Sequence, residues 1–340
     1  METRFIKVHS TWDERDGSYE AEDAHTVAGN VRDLVEVWYT IEGQQSGWTY
    51  DETGNRIRES VNRGGNRVTE TEYYRHTNLI RTRGEWEYNY DANGNLIERG
   101  TNGVWNESSR RYEYDGEEGE LWKYEYDLSN RLVRVLYTKE GSANLSEAAS
   151  YEYDLRGLKV KSERNGESEY TQYDQGGNLV WKEKGEESSR YVRAGSTVWA
   201  EERISGNITA VYYHHTDHLG TSEVITDASG VIVWEANYGA FDGVLSTGGS
   251  MAFTASYTGK ELDEATGLYY FNARWYDRSL GKFITEDPAR DGTNWYEYCR
   301  NNPLRFVDPD GLSIIGAFRG LVKATKGFLE ISGGSLWVQP

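Results

Sequence analysis

Along most of this chain aromatic and apolar positions do not run in helical rows. They bracket a fixed polar block. Tyr50-Asp51-Glu52-Thr53-Gly54-Asn55-Arg56-Ile57 recurs as Tyr90-Asp91-Ala92-Asn93-Gly94-Asn95-Leu96-Ile97 and as Tyr173-Asp174-Gln175-Gly176-Gly177-Asn178-Leu179-Val180. Looser copies begin at Tyr114-Asp115, Tyr126-Asp127 and Tyr153-Asp154. The pattern predicts a hairpin in each unit. A strand ends in Tyr, Asp accepts backbone N–H groups in an Asx-type turn, Gly-Asn supplies the positive φ, and an apolar residue starts the return strand. Repetition at about 20 residues, or irregular multiples of it, fits hairpins that cannot bury an apolar face alone and stack on their neighbours.

The pattern changes twice. All four prolines lie beyond residue 287, three of them in the stretch from Asp287-Pro288 through Asn302-Pro303 to Asp308-Pro309-Asp310-Gly311-Leu312. Such punctuation predicts a constrained loop structure in place of repetitive sheet. Beyond it, Ile314, Ile315, Phe318, Leu321, Val322, Phe328 and Leu329 fall at helical spacing, with Arg319, Lys323 and Lys326 among them. That spacing predicts a basic amphipathic helix from Ser313, docked on an acidic body or serving a membrane-surface or leader-like role.

Composition sharpens the picture. The hydrophobic content of 37% is below the roughly 45–50% of average globular domains, whereas aromatic residues reach 14%. Aromatic-rich, aliphatic-poor chains suit sheets with one packed and one wet face. A net charge of −19 argues against wrapping nucleic acid, which needs clustered Lys and Arg. Cys299 is the single cysteine, so the fold needs no oxidising compartment. Met1-Glu2-Thr3-Arg4-Phe5 lacks a basic-then-apolar signal pattern, and no segment reaches the ~18 apolar residues of a membrane-spanning helix. Localisation is left open: the cytoplasm before any export, which would use a specialised route the sequence does not display, or the cell surface.

The Tyr-Asp-x-x-Gly-Asn-x-apolar units resemble the YD repeats of bacterial RHS (rearrangement hotspot) proteins, a group that includes C components of insecticidal toxin complexes and polymorphic toxins. The downstream segment is similar to the RHS-repeat-associated core. It runs from Tyr213-His214-His215-Thr216-Asp217-His218-Leu219-Gly220 through Tyr257-Thr258-Gly259-Lys260-Glu261 and Ala273-Arg274-Trp275-Tyr276-Asp277 to Asp287-Pro288 and Asp308-Pro309-Asp310-Gly311-Leu312. The resemblance covers about residues 40 to 312. It implies an all-β fold: antiparallel hairpin repeats forming a spiralling sheet, part of a shell, with a C-terminal core plug and a short terminal helix. The corresponding division is 1–210 for the repeats, 211–312 for the core and 313–340 for a variable segment where an effector would begin.

The resemblance also implies chemistry. In such proteins the core cuts its own chain after the Asp-Pro-x-Gly-Leu motif with two aspartates, which here match Asp287 and Asp308, with Leu312–Ser313 as the scissile bond. Two carboxylates held close favour one proton between them, one acting as acid and the other as base. Pro288 and Pro309 fix the backbone beside each aspartate, and Gly311 permits the turn that presents Leu312. Lys282 stands where the family has Arg, which keeps the charge but not the bidentate fork. Arg274, Arg290 and Arg305 are candidate substitutes, and Asp310 occupies the variable position of the motif. The function expected is a shell fragment of an effector-encapsulating protein with a single-turnover, cis-acting aspartyl cleavage. A non-catalytic surface module binding glycans or partner proteins is the alternative. Expected partners are other shell or toxin-complex components and a C-terminal effector, with glycans as candidates through exposed tyrosines. No cofactor is expected. His214, His215, Asp217 and His218 form a ligand-rich run, but strand alternation would separate His215 from His214 and His218, so no metal site is assigned. Cys299 is read as a buried thiol and not a nucleophile.

Overall fold

The computed structural model describes residues 6–11, 18–21, 35–41, 44–62, 66–114, 119–138, 144–241, 244–254 and 256–316. Within these the chain is nearly all antiparallel β-structure, and the one helical element is the 3-10 turn Cys299–Asn301. The chain divides by its internal contacts into two units. One comprises Met1–Glu125, Leu136–Ser146 and Thr285–Asn301, and the other Tyr126–Val135, Glu147–Ile284 and Asn302–Pro340.

In the first unit, strands Val35–Ile41, Gln44–Tyr50, Arg56–Asn62, Asn66–Tyr73, Ile80–Arg83, Trp86–Tyr90 and Leu96–Thr101 pair each with the next in chain order. In the second, the same meander runs from Ser146–Tyr153 through Lys159–Arg164, Glu167–Tyr173, Leu179–Lys184, Glu187–Ala194, Thr197–Ser205, Ile208–Thr216, Ser222–Asp227 and Ile232–Tyr238 to Val244–Gly249. A smaller ladder follows: Ser256–Tyr257, Lys260–Asp263, Leu268–Phe271, Arg274–Asp277 and Lys282–Phe283.

The repeat is a turn with two built-in constraints. At Asp51 the carboxylate Oδ1 accepts the N–H of Thr53 at 3.0 Å and of Asn55 at 2.8 Å, while the Gly54 N–H donates to the Asp51 carbonyl at 3.0 Å. Asp91, Asp127, Asp154, Asp217 and Asp227 accept the same pair of N–H groups, two and four residues on. The ladder shifts by one residue just before the turn, so that Tyr50 faces Arg56 but Thr49 faces Arg58. The residue skipped is Ile57, the apolar position of the repeat, and Ile97 and Val180 are skipped in the same way. Each unit therefore carries a bulge, which bends and twists the ladder at a fixed interval. In the Asp127 turn the positive φ belongs to Asn130, at +58°, and in the Gly-Asn copies to the glycine, +77° at Gly54. The following Asn55, Asn95 and Asn178 instead donate their side-chain amides to the turn carboxylate, at 3.1, 2.9 and 3.0 Å.

The repeat tyrosines serve the interior. Tyr50 is 4% exposed, and the Tyr153 hydroxyl donates to the Leu132 carbonyl at 2.5 Å. Strands of the second unit bury Ile225, Val233, Trp234 and Ala236 against Phe253. The smaller ladder carries that unit's largest fully buried side chains: Tyr269, Phe271 and Tyr276 pack ring on ring with Tyr257 and Phe283.

In both units the turns receive polar side chains from the C-terminal third of the chain. Tyr296 donates its hydroxyl to the Gly94 carbonyl at 2.8 Å, and Asn301 donates its amide to the Gly54 carbonyl at 3.0 Å. In the second unit Tyr270 reaches the Gly157 carbonyl at 3.3 Å and Asn272 the Gly177 carbonyl at 3.0 Å. The approach at Gly94 is close: a Cβ there would lie 2.2 Å from the Tyr296 hydroxyl, at φ +78°, whereas at Gly230 φ is +84° with nothing within 4 Å. Gly94→Ala is therefore expected to cost about 2–4 kcal/mol, combining backbone strain with the displaced contact, and Gly230→Ala about 1 kcal/mol from strain alone. Urea unfolding midpoints of the two variants measure the difference.

Past Leu312 the chain enters a short strand, Ile315–Gly316 pairing with Phe306–Val307, and Ile315 packs on Leu219 and Val307. Residues 317–340, with most of the expected helix, lie outside the described residues.

Candidate functional site

The two aspartates singled out by sequence sit in different kinds of turn. Asp287 belongs to the first unit and is 5% exposed. Its Oδ1 accepts the Ala289 N–H at 2.8 Å and its carbonyl the Arg290 N–H at 3.0 Å, while its own N–H donates to the Trp295 carbonyl at 3.0 Å. This repeats the Asx geometry of the structural turns, with Pro288 exposed beside it. Arg290 leans away over the Trp295 ring, 4.7 Å from its centroid, and lies 3.3 Å from Glu286.

Asp308 belongs to the second unit, is 1% exposed, and is held differently. Its Oδ1 accepts the N–H groups of Gly311, Leu312 and Ser313 at 2.8, 3.1 and 3.2 Å. Its Oδ2 receives the Arg274 Nη2 at 3.1 Å, and that guanidinium, 4% exposed, also donates Nε–H to the Gly311 carbonyl and lies over the Phe283 ring, 3.7 Å from its centroid. Burial pushes the Asp308 carboxyl above the usual range; the Arg274 guanidinium opposes this and Asp310 adds to it. A buried carboxyl so placed keeps its proton to higher pH than a free aspartate.

Local sequence explains the arrangement. Pro309 interrupts the strand that begins at Phe306, and Gly311, at φ +75°, reverses the chain tightly enough to bring three successive N–H groups onto one carboxylate oxygen. There is no room for a side chain at Gly311, where a Cβ would lie 2.4 Å from the Phe271 carbonyl oxygen. The hairpin turn at Asn272, itself at φ +60°, supplies the other wall: the Ala273 N–H donates to the Asp310 carbonyl at 3.0 Å, and Arg274 follows.

Of the other residues read from sequence, Lys282 is buried opposite Asp277, and Arg305 is exposed near the Phe306 ring. The cation on Asp308 is Arg274. Sequence reasoning gave Asp310 too little weight, since its Oδ1 also accepts the Leu312 and Ser313 N–H groups, both at 3.0 Å. Its place in the variable position of the motif concealed this. The histidine run is dispersed. His214 Nδ1 meets Ser222 Oγ at 2.9 Å, His215 Nε2 meets Thr226 Oγ1 at 3.1 Å, His218 Nε2 meets the Leu304 carbonyl at 2.9 Å, and Asp217 holds its own turn. Cys299 is fully buried at φ +51°.

Comparison with known proteins places the chain among toxin-related sequences. A family model described as RHS protein matches residues 211–247. Over 258 residues the chain is 27% identical to the double-stranded DNA deaminase toxin A of Burkholderia cenocepacia, covering 66% of this chain and 17% of that protein. Over 243 residues it is 29% identical to the toxin subunit YenC2 of Yersinia entomophaga, covering 67% of this chain and 23% of the relative. The chain thus spans less than a quarter of either relative. Among solved structures, the TcdB2-TccC3-Cdc42 complex aligns with 86% of this chain and 21% of that one at 17% identity, with a TM-score of 0.37.

Proposed function

This chain belongs to the toxin-related RHS, or YD-repeat, proteins, and on that premise we propose that it is a shell fragment whose core cuts the Leu312–Ser313 bond once, in cis, and frees the segment beginning at Ser313. The observation that carries the reading is the position of Asp308. It is a buried carboxyl with a raised pKa, and its Oδ1 lies 3.2 Å from the Ser313 nitrogen, the leaving group of the reaction.

Hydrolysis there requires a base for the attacking water and an acid for the departing amine. In the proposed reaction the base, assigned to Asp287 from its sequence motif, takes a proton from water, whose oxygen adds to the Leu312 carbonyl carbon. The carbon–nitrogen bond to Ser313 then breaks as Asp308 gives its proton to that nitrogen, leaving an α-carboxyl on Leu312 and an amine on Ser313. Arg274 orients Asp308 and, through the Gly311 carbonyl, the turn that presents the bond. Carrying the carboxyls and the peptide on one chain makes the reaction intramolecular, a change worth several powers of ten in rate when the groups are positioned. The shell partners are other RHS or toxin-complex components, and the released segment is the start of a C-terminal effector.

Intact-mass measurement on freshly purified protein tests this directly. Two species ending at Leu312 and beginning at Ser313 are expected, and a single uncleaved chain after prolonged incubation across pH 5–8 would reject the cleavage reading while leaving the family assignment intact.

A further inference from the structure

The second unit holds a partly open pocket of about 40 Å³ that the proposed cleavage does not use, lined by Lys159, Arg193, Lys260, Tyr270 and Asn272 among others. That is room for two or three waters or one small ion. Lys159 is 8% exposed. Its ammonium stands 5.7, 5.3 and 5.4 Å from the ring centroids of Tyr151, Tyr270 and Trp275. The hydrogen bonds of this residue are made by its backbone, to the Tyr270 hydroxyl and the Thr171 Oγ1. Among the described residues its Nζ has no hydrogen-bonded or ion-paired partner.

Among the described residues the other two cations have no ion-paired carboxylate, although Asp308, Asp310 and Asp174 attract Lys260, and Glu261 and Asp174 attract Arg193, through space. Lys260, 7% exposed, donates to the neutral Asn272 Oδ1 at 3.2 Å. Arg193 donates Nη1–H to the carbonyls of Ser196 and Gly259 at 2.8 and 3.4 Å, and its buried Nε has no partner. The acidic group in the pocket wall, Glu261, is hydrogen-bonded by Lys182 Nζ at 2.9 Å and the Tyr191 hydroxyl at 3.0 Å, and acts on Lys159 and Arg193 only through space. Buried charges without a directly paired counter-ion are expensive, and three of one sign lining a single space are more so. The aromatic rings relieve Lys159 only in part, since cation–π attraction is weaker than a buried ion pair.

We propose that this pocket is a binding site for one small oxyanion, a carboxylate or a sulfate-type ion, held by the ammonium groups of Lys159 and Lys260 and the guanidinium of Arg193. Desolvation depresses both lysines, Lys260 to about 8 with the like charge of Arg193 adding to the effect, which leaves Lys260 largely charged at neutral pH. The inference is independent of cleavage at Leu312, because none of these three residues has a role in that reaction.

The test titrates the full chain with sodium sulfate, whose charge is constant across the working range, and in a separate arm with acetate, both at fixed ionic strength and pH 7, following the thermal midpoint. A saturable rise of about 3–8 °C is expected with the anion that fits, as for any ligand bound by the folded state alone. Lys159→Met and Lys260→Met keep the apolar stems, and each should abolish the saturable part without lowering the anion-free midpoint. Saturation by sulfate identifies an inorganic oxyanion site and saturation by acetate alone a carboxylate site. A rise that is linear in concentration and equal in all three proteins, or none at all with either anion, overturns the proposal.

Discussion

Asp308→Asn is expected to leave the chain folded and to slow the appearance of the Leu312 and Ser313 ends by about 10²–10⁴-fold, the range that a positioned acid or base contributes. The amide oxygen can still accept the N–H groups of Gly311, Leu312 and Ser313 that the carboxylate Oδ1 now accepts. It has no proton to give to the Ser313 nitrogen. Asp287→Asn should fail equally, for the opposite reason, because an amide cannot take a proton from water. Mass spectra of the wild type and both variants, taken at matched times with circular dichroism as a check on folding, give the comparison. Cleavage at the wild-type rate in Asp308→Asn would remove that residue from the reaction.

Arg274→Met should have the largest effect on stability, about 3–5 kcal/mol, because it leaves a buried carboxyl without its cation. The pair lies 3.1 Å apart with the two side chains 4% and 1% exposed, and the same guanidinium also satisfies the Gly311 carbonyl. The variant also makes a prediction about pH. In the wild type burial raises the Asp308 carboxyl and Arg274 opposes the rise, so removing Arg274 lifts it further. Protonated Asp308 is the proposed acid, so cleavage is present below its pKa and lost as pH rises through it. Whatever cleavage survives in Arg274→Met should therefore persist to higher pH than in the wild type. The stability sign is the same: a carboxyl raised in the folded state stabilises fully below its unfolded value, and that contribution is lost as pH rises through the folded one. The variant should be more destabilised at pH 8 than at pH 5, which denaturant titrations at the two values measure. An unmoved pH limb would detach Asp308 from the acid role even if stability fell.

How much of this was readable beforehand can be followed residue by residue. The hairpins were legible because everything they need lies within eight residues. The carboxylate of Asp51, the left-handed Gly54 and the amide of Asn55 satisfy one another locally, so the motif forms wherever it is written. The all-β class and the constrained loops around the two Asp-Pro pairs followed from the same local chemistry. Tertiary structure decided what depends on residues far apart in the chain. That Arg274 is a cation on Asp308, that Asp310 shares the Ser313 N–H, and that Tyr296 and Asn272 settle on the carbonyls of Gly94 and Gly177 are pairings across 34, 3, 202 and 95 positions. Even the shortest of these depends on the turn at Gly311, which is pressed against Phe271. The gathering of Lys159, Arg193 and Lys260 around one pocket has no sequence signal at all. Each is an ordinary basic residue in a strand or turn, and only the stacking of strands that are separate in sequence removes all three from water together.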